Sequence, residues 1–277
     1  GRELVVSRRY TVLVRAEDER IISSVDISSF IEDIPGGANT SNFSSLDASG
    51  STSMAASINE AVEAGAELLL IDEDTSATNL LYKDEEMNSI IRREPIKPLS
   101  TQVEDLVRKT GIGVIAIASA SSALLRQADK IILVEEYIPR DITMEAKKIL
   151  EPLETRREYH PPKTRTFHGI RGLRKIRSRG YKLVAVYDDN TRFELDLAQH
   201  PRVVEKTQVN FIAHVLRKIK NLEKPLSTPR LIEYINELFK NKGFKAFSNP
   251  VPPDLARVDG FDILWVLNRM YNAVFKQ

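Results

Sequence analysis

The chain has 277 residues, is 42% hydrophobic and 29% charged, and carries a formal net charge of +1, the profile of one large or two smaller globular domains. Cysteine is absent, which excludes disulfides, thiolate metal sites and a cysteine nucleophile, and the histidines at 160, 168, 200 and 214 lack the His-x-x-x-His spacing of a zinc site. No apolar run reaches the length of about 18 residues needed to cross a membrane, and Gly1-Arg2-Glu3-Leu4 does not open a signal peptide. The expectation is a cytoplasmic protein with no membrane partner.

Residues 3–7 and 10–16 read as two short strands separated by Arg8-Arg9. Val25 to Ile31 leads into the loop signal Asp33-Ile34-Pro35-Gly36-Gly37, and the Ser-, Thr-, Asn- and Gly-rich residues 38–53 read as a flexible loop. That loop runs into Met54–Ala64, an Ala-rich segment with helical apolar spacing that ends at Gly65 as at a C-cap. A Ser/Gly cluster at a helix start suits an anion, because free amides and the helix dipole meet there. The hydroxyls of Ser49, Ser51 and Thr52 add donors for a phosphate.

Leu68 to Ile71 is an unbroken apolar run that stops on Asp72, Glu73 and Asp74. It fits a strand buried on both faces of a parallel sheet, delivering three carboxylates to the sheet edge where ligands of α/β folds bind. Either a cation is held there, or the strand simply enters a solvated acidic turn. Beyond it, Leu80–Arg93 and Leu99–Lys109 read as helices, the second with a capped start over Ser100–Glu104. Gly111-Ile112-Gly113 then turns the chain into a buried strand, Val114–Ala118. Ser121–Ala128 reads as a short helix and Ile131–Val134 as a third buried strand. This alternation predicts an α/β fold with a mainly parallel sheet and crossover helices.

From about residue 142 the pattern changes, which places a first domain over 1–142 and a second, basic α+β domain ending in helices over 143–277. Met144–Pro152 reads as a short amphipathic segment. Residues 183–187 and 192–197 read as a β-hairpin, and 202–220, 228–241 and 261–275 as helices, the last holding the single tryptophan, Trp265. The near-zero total charge hides an asymmetry: residues 1–155 carry 16 Lys and Arg against 27 Asp and Glu, and residues 156–277 carry 24 against 12. Residues 156–182 alone hold ten Lys and Arg and one acid, centred on Arg171, Arg174, Lys175, Arg177 and Arg179. Two readings fit: a phosphate-contacting surface for RNA or DNA with Tyr159 or Phe167 stacking on bases, or a surface docked on the acidic half.

One order of motifs now stands out. Ala48-Ser49-Gly50-Ser51-Thr52 resembles the ABC signature, usually Leu-Ser-Gly-Gly-Gln. Leu69-Leu70-Ile71-Asp72-Glu73 resembles a Walker B strand with its catalytic glutamate. Asp74-Thr75-Ser76-Ala77-Thr78-Asn79 resembles the D-loop Pro-Thr-Ser-Ala-Leu-Asp, and Ala128-Asp129-Lys130-Ile131 the closing Ala-Asp-Arg-Ile strand. With Arg15-Ala16-Glu17-Asp18 and Tyr137-Ile138-Pro139-Arg140-Asp141, the likeness extends over nearly the whole chain, to the soluble P-loop NTPase family of "predicted ATPases of the ABC class". The resemblance implies ATP and Mg²⁺ as cofactors and a head-to-tail homodimer. In that dimer Ser49, Gly50 and Ser51 clamp in trans the γ-phosphate held by the partner, Asp72 supports Mg²⁺ and Glu73 is the general base.

Three departures accompany it. No Gly-x-x-x-x-Gly-Lys-Ser/Thr loop occurs, so this chain by itself is not expected to hydrolyse ATP, and the simplest reading is that a preceding segment supplies the loop. Ser119 stands where ABC enzymes commonly have a switch histidine. Asp74 replaces the usual proline and is expected to raise a neighbouring carboxylate's pKa. The alternative function is a non-enzymatic nucleotide-gated or nucleic-acid-binding module on a degenerate ATPase scaffold.

Overall fold

The computed structural model describes residues 6–34, 36–83, 90–91, 93–151 and 155–277. Most of the strand expected at 3–7, the middle of the helix expected over 80–93 and Pro152 lie outside the described residues.

The first half runs β1 (Thr11–Val14), β2 (Arg20–Val25), β3 (Phe43–Ala48), α1 (Gly50–Glu63), β4 (Leu68–Asp72), α2 (Thr78–Leu81), α3 (Val103–Thr110) and β5 (Gly113–Ile117). The parallel sheet has the order β1-β4-β5, with Val12 opposite Leu69, Val14 opposite Ile71 and Asp72 opposite Ile117. Paired residues share a face, and the face bearing Val14, Leu69 and Ile71 is sealed beneath α1. Leu68 and Leu70, on the other face, are only half-buried, so β4 is covered on one side rather than on both as its apolar run suggests.

Three further expectations are corrected. Residues 43–48, part of the expected loop, form β3 and pair antiparallel with β2. Only its two end residues, Phe43 and Ala48, are buried, so no alternation marks the strand among its serines. The strand expected to be buried at 131–134 is β6 (Ile132–Glu135), which pairs only with β7 (Ile138–Asp141) in a hairpin whose apolar side chains are exposed. Its two-residue turn, Glu136-Tyr137, has φ of +50° and +62°, the mirror-image turn that matches strand twist. At α3 no side chain caps the start; Gln102 is the cap residue and donates its amide to Ser29 O and Lys97 O instead. The C-terminal end of α3 does close on Gly111 with φ +73°.

The second half runs α4 (Thr143–Ile149), β8 (Thr166–Ile170), β9 (Leu173–Arg179), β10 (Lys182–Tyr187), β11 (Arg192–Asp196), α5 (Lys206–Ile219), β12 (Leu226–Ser227), α6 (Thr228–Lys242), α7 (Gly260–Leu267) and β13 (Ala273–Lys276). The expected hairpin is β10–β11, with β9 added at its other edge. The last helix stops at Leu267, and its expected tail instead forms β13 against β8. Gly260 permits α7 to meet α6: a Cβ there would lie 2.4 Å from Ile232 O. Gly260→Ala is expected to cost about 1–3 kcal/mol, read as a lower midpoint in urea or thermal melts.

The two halves share one core, and its centre is charged. Arg165 (1% exposed) donates from Nε and Nη2 to Glu63 of α1, from Nη1 to Ser23 O and from Nη2 to Asn268 Oδ1. Beside it the buried Arg20 pairs with Glu60 and donates to Ser57 Oγ. Tyr159, also fully buried, donates its hydroxyl to Asn59 Oδ1. So the first part of the basic segment docks on the acidic half: Arg156 pairs with Glu104 at 2.7 Å, and Arg165 pairs with Glu63.

Candidate functional site

Two motifs converge at the carboxyl end of β4. The first is the start of α1. Ser49, exposed, is its N-cap: Thr52 N donates to Ser49 Oγ and Ser53 N to Ser49 O. The amides of Gly50 and Ser51, at the first positions of the helix, have no intrahelical carbonyl to meet and point off its end. Ser49 and Thr52 share a hydroxyl hydrogen bond of 3.0 Å, and Ser51 donates its hydroxyl to Asn79 Oδ1 at 2.7 Å. Thus Ser49, Gly50, Ser51 and Thr52 form a small polar cap tied to the residue that closes the D-loop-like stretch.

The second motif is Asp72-Glu73-Asp74. Asp72 ends β4 and accepts from Asp74 N through one carboxylate oxygen; its backbone oxygen accepts from Ser76 Oγ. Glu73, partly exposed, accepts through Oε2 from Ser119 N at 2.6 Å and Ala120 N at 3.0 Å, both just beyond β5. These two amides, with Ala120's bond the stronger influence, hold the Glu73 carboxyl below its ordinary pKa. The rise expected from Asp74 is absent at Glu73: the Asp74 side chain is exposed, and the two backbone amides set the direction. Ser119 therefore meets Glu73, chiefly through its backbone amide, with its side chain a smaller influence. The Ser119 and Ala120 amides carry no sequence signal of their own, because backbone donors are invisible in residue identity.

Among the described residues no group of three metal-ligating side chains exists. That composition still fits Mg²⁺, which is commonly held by one or two carboxylates plus water and substrate phosphates. Asp72 has a second carboxylate oxygen outside its turn.

A family model of the ABC-ATPase P-loop domain matches residues 1–169. The chain belongs to that family. Its α/β core and parallel sheet are those of an ABC-class P-loop ATPase, a family of nucleotide-binding ATPases that generally work with Mg²⁺. A second model, the MRB1590 C-terminal domain, matches residues 175–276. No curated protein matches the sequence. Among the described residues no helix is long and apolar enough to cross a membrane.

The basic residues lie apart, on the three-stranded sheet of the second half. Arg179 pairs with Lys182 and Lys182 with Asp196; Arg177 pairs with Val184; Lys175 pairs with Val186 and Val186 with Arg192. Directly opposed residues share a face, so Lys175, Arg177, Arg179, Lys182 and Arg192 line one side of the sheet, all exposed. Its other side, with Ile176, Leu183 and Ala185, is buried, and α5 packs on β9. Arg171 and Arg174 are exposed nearby. Among the described residues, Arg171, Arg174, Lys175, Arg177 and Arg179 have no ion-pair partner, whereas Arg192 pairs with Glu194. The aromatic stacking expected of Tyr159 and Phe167 does not hold: both are fully buried in the core.

Proposed function

We propose that this chain supplies the signature and Walker B half of an ATP-hydrolysing site formed in a head-to-tail homodimer, coupled to RNA or DNA bound on the β9–β11 face. The observation that carries the reading is Glu73, a carboxylate at the end of β4 with one oxygen fixed by two backbone amides and the side chains of Tyr82 and Ser119 beside it. Glu73 orients the attacking water and accepts its proton as the bond to the γ-phosphate forms. Asp72 holds Mg²⁺, which when bound neutralises charge on the phosphate oxygens. The amides of Gly50 and Ser51 and the hydroxyls of Ser49 and Ser51 receive the γ-phosphate of the opposite protomer's nucleotide. The test is Mg-ATP turnover by a polypeptide that also carries a Gly-x-x-x-x-Gly-Lys loop; absence of turnover with that loop intact would sink the enzymatic reading.

Residues 1–277 contain no such loop. A second reading, carried by the exposed basic residues of β9, is a module that binds nucleic acid without turning over ATP. Both readings need the basic face. With no exposed aromatic on it, binding runs through phosphates, is insensitive to base sequence and weakens steeply with salt. Reversing Lys175, Arg177 and Arg179 to glutamate is expected to lower oligonucleotide affinity at least about tenfold. The log K against log salt slope is expected to flatten by about 0.7–0.9 for each phosphate no longer neutralised. Fluorescence anisotropy across a salt series reads both, and unchanged affinity would remove the basic face from the proposal.

A further inference from the structure

The stretch Arg15-Ala16-Glu17-Asp18 has no part in the chemistry above, yet each of its residues reaches a different element. Arg15 Nη2 donates to Gln199 O at 2.8 Å, just past the end of β11. Ala16 N donates to Thr75 O at 2.9 Å, inside the D-loop-like stretch. Glu17 N donates to Ser53 Oγ at 2.9 Å, and Ser53 Oγ in turn donates to Gly50 O, in the first turn of α1. The Glu17 carboxylate takes two hydrogen bonds from Arg269, beyond the end of α7. Asp18 closes over Gly50, where a Cβ would lie 3.1 Å from Asp18 Oδ1 and 3.2 Å from the Ala16 methyl. Four consecutive residues thus bracket the signature turn, the D-loop and the second half together.

The second half reaches this bracket from the basic sheet itself. Arg269 stacks on Trp265 at 3.6 Å and lies two residues before Tyr271. Tyr271 O accepts from Tyr187 Oη of β10 at 2.6 Å, and its ring packs against Tyr187 and against Phe193 of β11. One arm therefore runs from the inner face of the basic sheet through Tyr271 and Arg269 to Glu17; the other runs from the end of β11 through Gln199 to Arg15. Between them lies an open cleft of about 410 Å³, bordered by Arg15, Glu17, Thr75, Asp196 and Trp265. The first arm is an ion pair within the fold. Burial pushes the Glu17 carboxyl up, but Arg269, with Arg20 and Arg15, outweighs it and holds the group at about 2, so the pair stays charged at any pH near neutral. The second arm is a single bond from a half-buried arginine to an exposed turn.

We propose that Arg15 and Glu17 are positioning residues that couple occupancy of the basic sheet to the signature turn and the D-loop. The inference rests on the nucleic-acid reading of that sheet. A ligand that orders β9–β11 acts on both arms at once, and the only route from them to Ser53 and Thr75 within the stretch is its backbone. Coupling of this kind is reciprocal, so engagement of the signature turn changes affinity at the basic sheet by the same factor.

Hydrogen exchange on the chain as it stands tests this, with a short labelled RNA oligonucleotide and its duplex as probes and anisotropy reporting binding. Binding is expected to slow amide exchange in residues 15–19 and 49–53 about fivefold, the low end of ordinary coupling. Arg15→Ala, at a half-buried site, is expected to bind the oligonucleotide as the wild type does but to lose most of the slowing, and Arg15→Lys to restore it by donating to the same carbonyl. Glu17→Gln, checked for folding by circular dichroism, is expected to lose the slowing entirely. Binding without any change at 15–19 and 49–53, or a full response in Arg15→Ala, overturns the coupling and leaves the nucleic-acid reading standing. No binding by either probe overturns both.

Discussion

Replacing Glu73 by glutamine is expected to reduce Mg-ATP turnover by about 10²–10⁴-fold, the range lost with a general base, in a polypeptide that holds the nucleotide. The substitution is close to a pure charge test. A glutamine oxygen can still accept from Ser119 N and Ala120 N, so the loop after β5 keeps its anchor. What disappears is the negative charge at the second oxygen. The same two amides decide how the group works: by holding its pKa below that of an ordinary glutamate they weaken its pull on a proton while fixing its direction. On the proposed reading, orientation of water is the part of its contribution that the two amides favour. The sign of the pH dependence follows. The folded-state pKa is depressed, so the active ionised form persists through neutral pH and is lost only as pH falls through that lowered value. An acid limb in kcat at or above neutrality would assign the base elsewhere. Asp72→Asn, by contrast, is expected to raise the Mg²⁺ concentration needed for half-maximal turnover, since it removes charge from the cation rather than from the water.

How much of this could be read from residues alone varies with the range of the interaction involved. The end of β4 and the start of α1 were legible because their signals are local: an apolar run stopping on acids, and a serine cap before an Ala-rich helix. The β10–β11 hairpin was legible for the same reason, as two β-rich runs around Asp188-Asp189-Asn190. The β2–β3 pair was hidden because its strands are held by backbone pairing, with few apolar side chains. Strand β6 has the composition of a buried strand but the neighbours of a hairpin, and composition cannot report what a strand pairs with. Glu60 and Glu63 did leave a trace: two acids at i, i+3 on the face of α1 that also carries buried Ala56. Their partners, Arg20 and Arg165, lie far away in sequence, and nothing local distinguishes Arg165 from the exposed arginines that follow it.

That distinction predicts the largest stability effect in the molecule. Arg165→Ala is expected to destabilise the fold by about 3–5 kcal/mol, because it strands Glu63 as an unpaired buried charge. At roughly 2–4 °C per kcal/mol for a chain of this size, the thermal midpoint drops by about 10 °C. The exposed Arg177→Ala is expected to shift stability by no more than about 0.5 kcal/mol, although both arginines belong to the same basic stretch. Added salt separates the two further: at 0.1 M it largely screens exposed charges more than about 10 Å apart and leaves the buried pair nearly untouched. Glu63→Leu combined with Arg165→Met is expected to recover much of the loss, since an apolar pair of similar volume removes the stranded charge together with its desolvation cost. The recovery stops short of complete. Ser23 O and Asn268 Oδ1 also accept from Arg165, and Glu60 Oε1 stands 3.9 Å from its Nη1, so a methionine leaves those groups buried without a donor. A double-mutant cycle in urea measures the remainder. If Arg165→Met alone proved as stable as the double variant, the hydrogen bond from the backbone N of residue 165 would suffice for Glu63 and the ion pair would not be what joins α1 to the second half.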